Sequence, residues 1–254
     1  MQLHGRRALV TGASRGIGEA IARRLAEDGA EVVLVARSEG PITALAKELR
    51  TSGARAAAIA ADMADRSSLS ALMDRVEDEF GSLDILVNNA GVLPTATRAE
   101  RTDQDVWDHT LEVNLSAPWY LACRAKGLMG ERGGVIVNNA STAAYYPSRG
   151  LVAYNVSKSA LVMLTRVLAL EWASSQVRVI GVAPGKVETD LVGPIVQWAR
   201  KRDQPLNPQG RLGTPREVAD LVAFLVGDHA AYLTGVTIPI DGGELLTAGS
   251  GLTP

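Results

Sequence analysis

Two side chains able to exchange a proton, Tyr154 and Lys158, lie four residues apart in the sequence. Residues i and i+4 share one face of a helix, so the phenol and the ammonium are expected to lie side by side. Ser141, 13 positions before the tyrosine, stands at the end of an apolar run, where its hydroxyl could reach the same place. These residue types and spacings indicate a proton-transfer site.

A glycine-rich segment near the N-terminus supplies a second element. Gly12, Gly16 and Gly18 follow an apolar run and open an amphipathic pattern. Glycines permit a tight turn from strand to helix, and they let a pyrophosphate approach the helix N-terminus, where free N–H groups favour negative charge. A dinucleotide held here beside a proton-transfer site predicts nicotinamide-dependent carbonyl/alcohol chemistry.

The composition limits the possible partners. The 254 residues are 46% hydrophobic and 21% charged, and a net charge of -2 gives no field that would recruit nucleic acid or an acidic membrane. The one cysteine, Cys123, excludes an intrachain disulfide, and no His/Cys spacing is typical of a metal site. We therefore expect a cytoplasmic protein with a small-molecule partner, and no metal, nucleic acid or membrane.

Apolar and helical segments alternate along the chain, which is typical of an α/β fold. The apolar runs are Ala8–Val10, Val32–Val35, Ala56–Ala61, Ile85–Val87, Val135–Val137, Val177–Ile180 and Val236–Ile240. The helical patterns are Gly16–Asp28, Pro41–Thr51, Ser67–Phe80, Asp103–Lys126, Val152–Ser174 and Pro215–Gly227. Strands that are apolar on both faces require helices on both sides, so the sequence predicts a Rossmann-type, doubly wound parallel sheet of about seven strands in one domain over residues 1–254. Pro239 cannot donate to a ladder, which places the last strand at an edge.

Two segments suggest features beyond the sheet. The irregular stretch Pro184–Thr214 is predicted to carry a substrate lid at about residues 186–213, with a helix-like piece at Leu191–Ala199. The predicted helix Val152–Ser174 is apolar almost all round, so a second buried face, and with it a homo-oligomer, is expected.

The residues after the second predicted strand bear on cofactor choice. Folds that prefer NAD place a carboxylate there to bind the ribose 2′-OH, but this chain has Ala36 followed by Arg37. A 2′-phosphate would meet no repulsion and could pair with Arg37 and Arg15, so NADPH/NADP+ is preferred over NADH/NAD+. Asp62, after the third strand, could accept from the adenine amino group.

Several motifs in order along the chain resemble those of the short-chain dehydrogenase/reductase family, in its single-domain branch. They are Thr11-Gly-X-X-X-Gly16-X-Gly18, Asn88-Asn89-Ala90-Gly91, Asn114, Ser141, Tyr154-X-X-X-Lys158 and Pro184-Gly185. The resemblance extends to Asp241-Gly242-Gly243 and so covers nearly the whole chain.

The resemblance implies catalytic roles for Asn114, Ser141, Tyr154 and Lys158. Tyr154 exchanges a proton with the substrate oxygen, Ser141 orients that oxygen, and Asn114 supports a water chain from the lysine. A free phenol has a pKa near ~10, and lowering it toward ~7 takes about 4 kcal/mol, which one cation at ~4 Å supplies at an effective dielectric near 20. We therefore expect Lys158 to lower the pKa of Tyr154.

The resemblance also implies the residues that line the cofactor. Pro184 and Gly185 face the nicotinamide, Thr189 reaches its carboxamide, and Lys158 holds the ribose hydroxyls. The full expected set is Gly12, Ser14, Arg15, Gly16, Ile17, Gly18, Arg37, Asp62, Met63, Asn89, Ala90, Gly91, Tyr154, Lys158, Pro184, Gly185, Val187 and Thr189.

Pro118 adds a hypothesis about the helix that carries Asn114. Proline has no N–H, so the Asn114 carbonyl, four residues earlier, should lack its helical partner. We expect a kink at this position and a carbonyl free to bind a water.

Three functions remain open from the sequence. The first is an NADP(H)-dependent oxidoreductase for a ketone/secondary alcohol pair, and the apolar lid residues Val187, Leu191, Val192, Ile195 and Trp198 favour a partly hydrophobic substrate. The second is a 3-oxoacyl-(acyl-carrier-protein) reductase: Arg132 fits a basic entrance for an acidic carrier, but Ser175 stands where an arginine is common. The third, a non-catalytic NADP(H)-sensing protein, is disfavoured because such proteins usually lose the tyrosine or the lysine.

Overall fold

The computed structural model describes residues 3–190, 193 and 207–247. The predicted lid residues Leu191, Val192, Ile195 and Trp198 lie outside these ranges, as does most of the predicted piece Leu191–Ala199.

A single parallel sheet of seven strands forms the centre of the molecule, in the order β3-β2-β1-β4-β5-β6-β7. The strands are β1 Arg7–Thr11, β2 Glu31–Ala36, β3 Ala56–Ala60, β4 Ile85–Asn88, β5 Gly134–Asn139, β6 Val177–Pro184 and β7 Thr237–Ile240. The prediction of a doubly wound parallel sheet is confirmed. Pro239 lies in β7, which pairs only with β6 and so forms an edge, as expected.

Each predicted helical pattern is found as a helix, although Asp103–Lys126 is divided into two helices, and the short helix Glu244–Thr247 was not predicted. They are α1 Gly16–Glu27, α2 Glu39–Thr51, α3 Arg66–Phe80, α4 Gln104–Leu111, α5 Ala117–Leu128, α6 Val152–Trp172, α7 Pro215–Val226 and α8 Glu244–Thr247. Within the described residues, none of the helices combines the length and the apolar character needed to cross a membrane.

The helices cover the sheet in two layers because adjacent strand residues point to opposite faces. In β1, Val10 packs with α1, α2 and α7, whereas Leu9 packs with α3, α5 and α6. Both side chains are fully buried. This arrangement explains why the strands are continuous apolar runs and do not alternate with polar residues.

The helical stretch that carries Asn114 is interrupted between α4 and α5. Residues Glu112–Ser116 form a π turn, in which the Ala117 N–H donates to the Glu112 carbonyl five residues back. Pro118 follows directly, and its missing N–H is a physical reason for a break in the regular ladder. That the Asn114 carbonyl binds a water stays a prediction.

One face of α6 is apolar and exposed. Val156, Met163, Val167 and Leu170 recur at helical spacing, and Leu170 is 82% exposed. On the neighbouring helix α5, Trp119 is 44% exposed. Other apolar residues of α6, among them Leu161 and Leu168, are buried in the fold, so the helix has two apolar faces, of which the fold covers one.

Candidate active site

The predicted site residues meet along the carboxyl edge of the sheet. The glycine loop follows β1, Arg37 follows β2, Asp62 follows β3, Asn89 to Gly91 follow β4, and Ser141 follows β5. Pro184 ends β6, and Gly185 follows it. Parallel strands end on the same side, so segments spread over the sequence converge on one cleft.

The loop between β1 and α1 requires its glycines. Gly12 and Gly16 have φ of +66° and +58°, a backbone region that favours glycine. A Cβ at Gly18 would lie 2.2 Å from the Gly12 carbonyl oxygen, which is closer than real contacts allow. Arg15, the N-cap residue of α1, gives no side-chain hydrogen bond to the first turn, so this end of the 12-residue helix is not capped by its own side chain. The loop therefore fits a pyrophosphate approaching the helix N-terminus.

Two side chains fasten this loop to the segment after β4. The Thr11 hydroxyl donates to the Val87 carbonyl (3.2 Å) and accepts from the backbone N–H groups of Asn89 (2.9 Å) and Ala90 (3.0 Å). The Asn89 side-chain amide donates to the Thr11 carbonyl at 2.9 Å. Strands β1 and β4 are thus held together where the sheet order changes direction.

The residues expected at the adenosine end have different environments. Arg37 is exposed directly after β2, whereas the Arg15 guanidinium forms an exposed ion pair with Asp190 at 3.3 Å. Asp62 accepts from the Ala64 N–H at 2.9 Å through one carboxylate oxygen. The Met63 side chain is only 6% exposed and packs in the core, so only its backbone could contact a cofactor.

Ser141 and Tyr154 form a hydroxyl pair. The Ser141 hydroxyl accepts from the Ala143 N–H at 3.2 Å, which fixes the turn after β5. Burial raises the pKa of Tyr154, and a hydrogen bond with the Ser141 side chain acts in the opposite direction. This direction is opposite to our expectation that Lys158 lowers the pKa of Tyr154, because desolvation of the phenol outweighs its hydrogen bond with Ser141.

Lys158 lies one helical turn after Tyr154 and is 4% exposed. Its ammonium donates to the Asn139 carbonyl at 2.7 Å and lies 5.8 Å from the centroid of the Tyr154 ring. Burial lowers the pKa of this lysine to about 8. The predicted neighbourhood of phenol and ammonium is present, and the ammonium in addition binds a backbone oxygen that the sequence did not indicate.

Asn114 is fully buried and uses its side-chain amide to join three segments. It accepts from the Val92 N–H at 2.8 Å, and it donates to the Val92 carbonyl at 3.0 Å and to the Ser157 hydroxyl at 3.1 Å. The side chain therefore positions the segment after β4 against α6. A role in a proton relay would fall to its main-chain carbonyl.

The segment after β6 closes the cleft on its other side. The Gly185 N–H donates to the Ile240 carbonyl at 3.1 Å, and a Cβ at Gly185 would lie 2.6 Å from a carboxylate oxygen of Glu244. A Cβ added at Gly16 would lie 3.2 Å from the methyl group of Thr189. The Val187 side chain is 3% exposed. Thr189 thus reaches the glycine loop, as a cofactor contact requires, whereas the Val187 side chain faces inward.

A cavity of about 350 Å³ lies between the segment after β4, helix α4 and the start of α6. Its lining combines apolar residues, such as Leu93 and Val106, with the hydroxyl groups of Thr95 and Thr97. Val152 and Ala153, in the same helical turn as Tyr154, also line it. This composition is typical of a pocket for a partly hydrophobic small molecule.

The sequence interpretation assigned no role to the side chains of three polar residues: Thr11, Asn139 and Ser157. Asn138 and Asn139 stand in an otherwise apolar strand, and two amides at such positions were a signal that could have been used. In the described parts of the chain, no group of three or more His, Cys, Asp or Glu side chains is arranged to hold a metal ion.

Comparison with known proteins agrees with this geometry. A family model described as enoyl-(acyl carrier protein) reductase matches residues 12–244. The chain is 40% identical over 245 residues to a 3-oxoacyl-(acyl-carrier-protein) reductase of Vibrio harveyi, covering 96% of this chain and 98% of that one. It is 39% identical over 237 residues to a cis-4-hydroxycyclohexanecarboxylate dehydrogenase of Sinomonas cyclohexanicum, covering 93% and 95%.

A solved structure agrees in fold as well. A short chain dehydrogenase from Burkholderia cenocepacia, crystallised in complex with NADP, superposes with a TM-score of 0.88 at 38% identity, covering 96% of this chain and 99% of that one. The match extends from the glycine loop to the residues after β7. The chain therefore belongs to the short-chain dehydrogenase/reductase family.

Proposed function

We propose that this protein is an NADP(H)-dependent oxidoreductase that interconverts a ketone and a secondary alcohol. The observation that carries the proposal is the Ser141–Tyr154 hydroxyl pair, which lies beside the buried Lys158 at the same sheet edge as the glycine loop. A proton donor and a dinucleotide cradle in one cleft are the two parts that this reaction needs.

NADP(H) is supported by residues of this chain and by its relatives. The glycine loop leaves room for the pyrophosphate. Arg37 follows the end of β2, near the position where an acidic residue would favour NAD. The Burkholderia relative was crystallised with NADP. When bound, the cofactor supplies or accepts the hydride, while the protein supplies binding, orientation and the proton.

The side chains divide the proton chemistry between them. The Ser141 hydroxyl donates a hydrogen bond to the substrate oxygen and stabilises the charge that develops there. In the reductive direction, Tyr154 donates its proton to that oxygen, and the resulting phenolate is stabilised by the Lys158 ammonium. Burial raises the pKa of the phenol, so at neutral pH Tyr154 carries the proton that it donates.

A 3-oxoacyl-(acyl-carrier-protein) reductase is the second candidate, favoured by the 40% identity to the Vibrio harveyi enzyme. Arg132 is exposed and could meet an acidic carrier. Ser175 lacks the positive charge that an arginine would add, so a smaller free ketone remains the preferred substrate. The sensing function stays a disfavoured alternative. The cytoplasmic location and the expected lack of a nucleic-acid or membrane partner stay predictions.

We also propose that the chain forms a homo-oligomer, a dimer or a tetramer, through the exposed faces of α5 and α6. Val156, Met163, Val167 and Leu170 form one apolar stripe on α6, and Trp119 is exposed on α5. An exposed apolar stripe of this kind is typical of a subunit interface.

Replacing Tyr154 with Phe should reduce kcat for ketone reduction by about 10²- to 10⁴-fold, because the proton donor is lost. NADPH oxidation with a panel of ketones and acyl thioesters measures this. Tyr145→Phe, at an exposed tyrosine nearby in sequence, is the matched control and should keep wild-type turnover. Equal loss in both variants would contradict the role of Tyr154, and tight NADPH binding without turnover in the wild type would favour a sensor.

Replacing Arg37 with Asp should weaken NADPH binding by about 10- to 100-fold and leave NADH binding unchanged or improved. The charge-assisted hydrogen bond to the 2′-phosphate becomes a repulsion, whereas NADH has no phosphate there. Dissociation constants from fluorescence titration test this. Arg75→Asp, a charge reversal on the exposed face of α3, should change neither constant.

The pH dependence of stability should change when Lys158 is replaced by Met. The folded-state pKa of Lys158 is lowered from 10.5 to about 8, so the unfolded chain binds more protons between these values. Wild-type stability should therefore rise relative to Lys158→Met as pH increases from 8 to 10, by roughly 1.4 kcal/mol per pH unit at most. Urea unfolding of both proteins at several pH values tests this, and a constant difference would mean that the ammonium is not destabilised by burial.

Replacing Leu170 with Glu should shift the protein toward monomers, because a charge would enter the proposed interface. Light scattering coupled to size-exclusion chromatography measures the mass. Phe224→Glu is the control, since Phe224 is also exposed but lies on α7, in the opposite layer. An unchanged mass for Leu170→Glu would contradict an interface through α6.

A further inference from the structure

Side-chain amides continue the connection between β4 and β5 beyond the end of their backbone ladder. The last backbone pair is Asn88 with Asn138. At the next position the Asn139 side-chain amide donates to the Asn89 side-chain oxygen at 2.9 Å. Asn89 in turn donates to the Thr11 carbonyl at 2.9 Å, so the bridge spans β5, β4 and β1.

The direction of these hydrogen bonds is fixed by the acceptors at one end. The Asn89 amide nitrogen faces the Thr11 carbonyl and, at 3.4 Å, the Gly12 carbonyl, which can only accept. The Asn89 oxygen must therefore face Asn139, and Asn139 must present its nitrogen to it. As a result the Asn139 amide oxygen points away from Asn89.

That oxygen is buried and has no hydrogen-bond partner among the described residues. An unsatisfied buried acceptor lowers stability, so this site keeps an asparagine where a leucine of similar shape would avoid the penalty. Buried polar residues that lower stability in this way are commonly found at functional sites.

The main chain of the same residue holds the buried lysine. The Lys158 ammonium donates to the Asn139 carbonyl at 2.7 Å. Two further described residues near it, Gly91 and Asn114, are uncharged: a Cβ added at Gly91 would lie 3.5 Å from the ammonium and 3.3 Å from the Asn114 amide oxygen. The titratable group that faces it is Tyr154, with the ring centroid at 5.8 Å.

We propose that Asn139 is a positioning residue whose side-chain amide fixes the peptide that receives Lys158 and thereby ties the ammonium to the glycine loop. Binding of the cofactor on the loop and placement of the ammonium beside Tyr154 are then set by one continuous chain of hydrogen bonds. Its catalytic consequence rests on the proposed function, but the effect on Lys158 does not.

The neighbouring Asn138 provides a matched control. Its side chain accepts from Asn88 at 2.9 Å and donates to the Thr165 hydroxyl at 2.9 Å, and no hydrogen bond joins it to Lys158. Asn138→Leu removes one hydrogen bond from each partner, although Asn88 still donates to the Pro118 carbonyl and Thr165 to the Leu161 carbonyl, and it should lower the urea midpoint. Asn139→Leu removes one unsatisfied oxygen and creates another at Asn89, so its midpoint should stay near that of the wild type.

The test compares Asn139→Leu, Asn138→Leu and the wild type as full chains. In the unliganded proteins, the pKa of Lys158 is followed by NMR of ¹³Cε-labelled lysine and assigned with Lys158→Met. A less firmly held carbonyl stabilises the ammonium less, so the pKa should fall further in Asn139→Leu and stay unchanged in Asn138→Leu. The basic limb of the kcat/KM profile should move to lower pH in parallel, with about a tenfold or larger loss, mainly in kcat.

An unchanged Lys158 titration in a folded Asn139→Leu protein would overturn the proposal. If Asn139→Leu does not fold, Asn139→Ala is measured in the same way and carries the same expectations. A wild-type protein without turnover would count against the proposed oxidoreductase, yet the NMR titration would still decide the role of Asn139. The two failures are therefore distinguishable.

Discussion

The burial of the Lys158 ammonium is the constraint around which the site is arranged. A charge that is 4% exposed is costly unless hydrogen bonds offset its lost hydration. The Asn139 carbonyl accepts from it directly, and Asn114 holds the nearby segment after β4 against α6. In the described part of the chain, the cleft thus keeps one cation beside a phenol with no carboxylate in an ion pair with it.

Much of the fold could be predicted because it depends on short-range patterns. Apolar runs separated by amphipathic segments predict a parallel sheet covered on both faces, and Pro239 predicts that the last strand lies at one of its edges. The principal site residues were equally visible, since Tyr154 and Lys158 must share a helix face whatever surrounds them. Their chemistry follows from residue type and spacing.

The remaining features depend on contacts that spacing does not encode. The amide bridge between Asn89 and Asn139 requires the register of β4 against β5. The direction in which the pKa of Tyr154 shifts depends on how completely the phenol is desolvated. The sequence indicated only that Lys158 would lie beside it. A proline within a helical pattern predicted a disturbance at Pro118, but not that it would take the form of a π turn.

The junction of β1 and β4 divides the molecule into two halves, one with the expected cofactor-binding loop and one with the proposed catalytic residues. It comprises only three paired positions, Ala8 with Ile85, Leu9 with Leu86 and Val10 with Val87. The glycine loop and Arg37 belong to the half before this seam, whereas Ser141, Tyr154 and Lys158 belong to the half after it. A dinucleotide that contacts both halves would stabilise their association across the seam. Its binding free energy would then add to the free energy of unfolding of the whole chain.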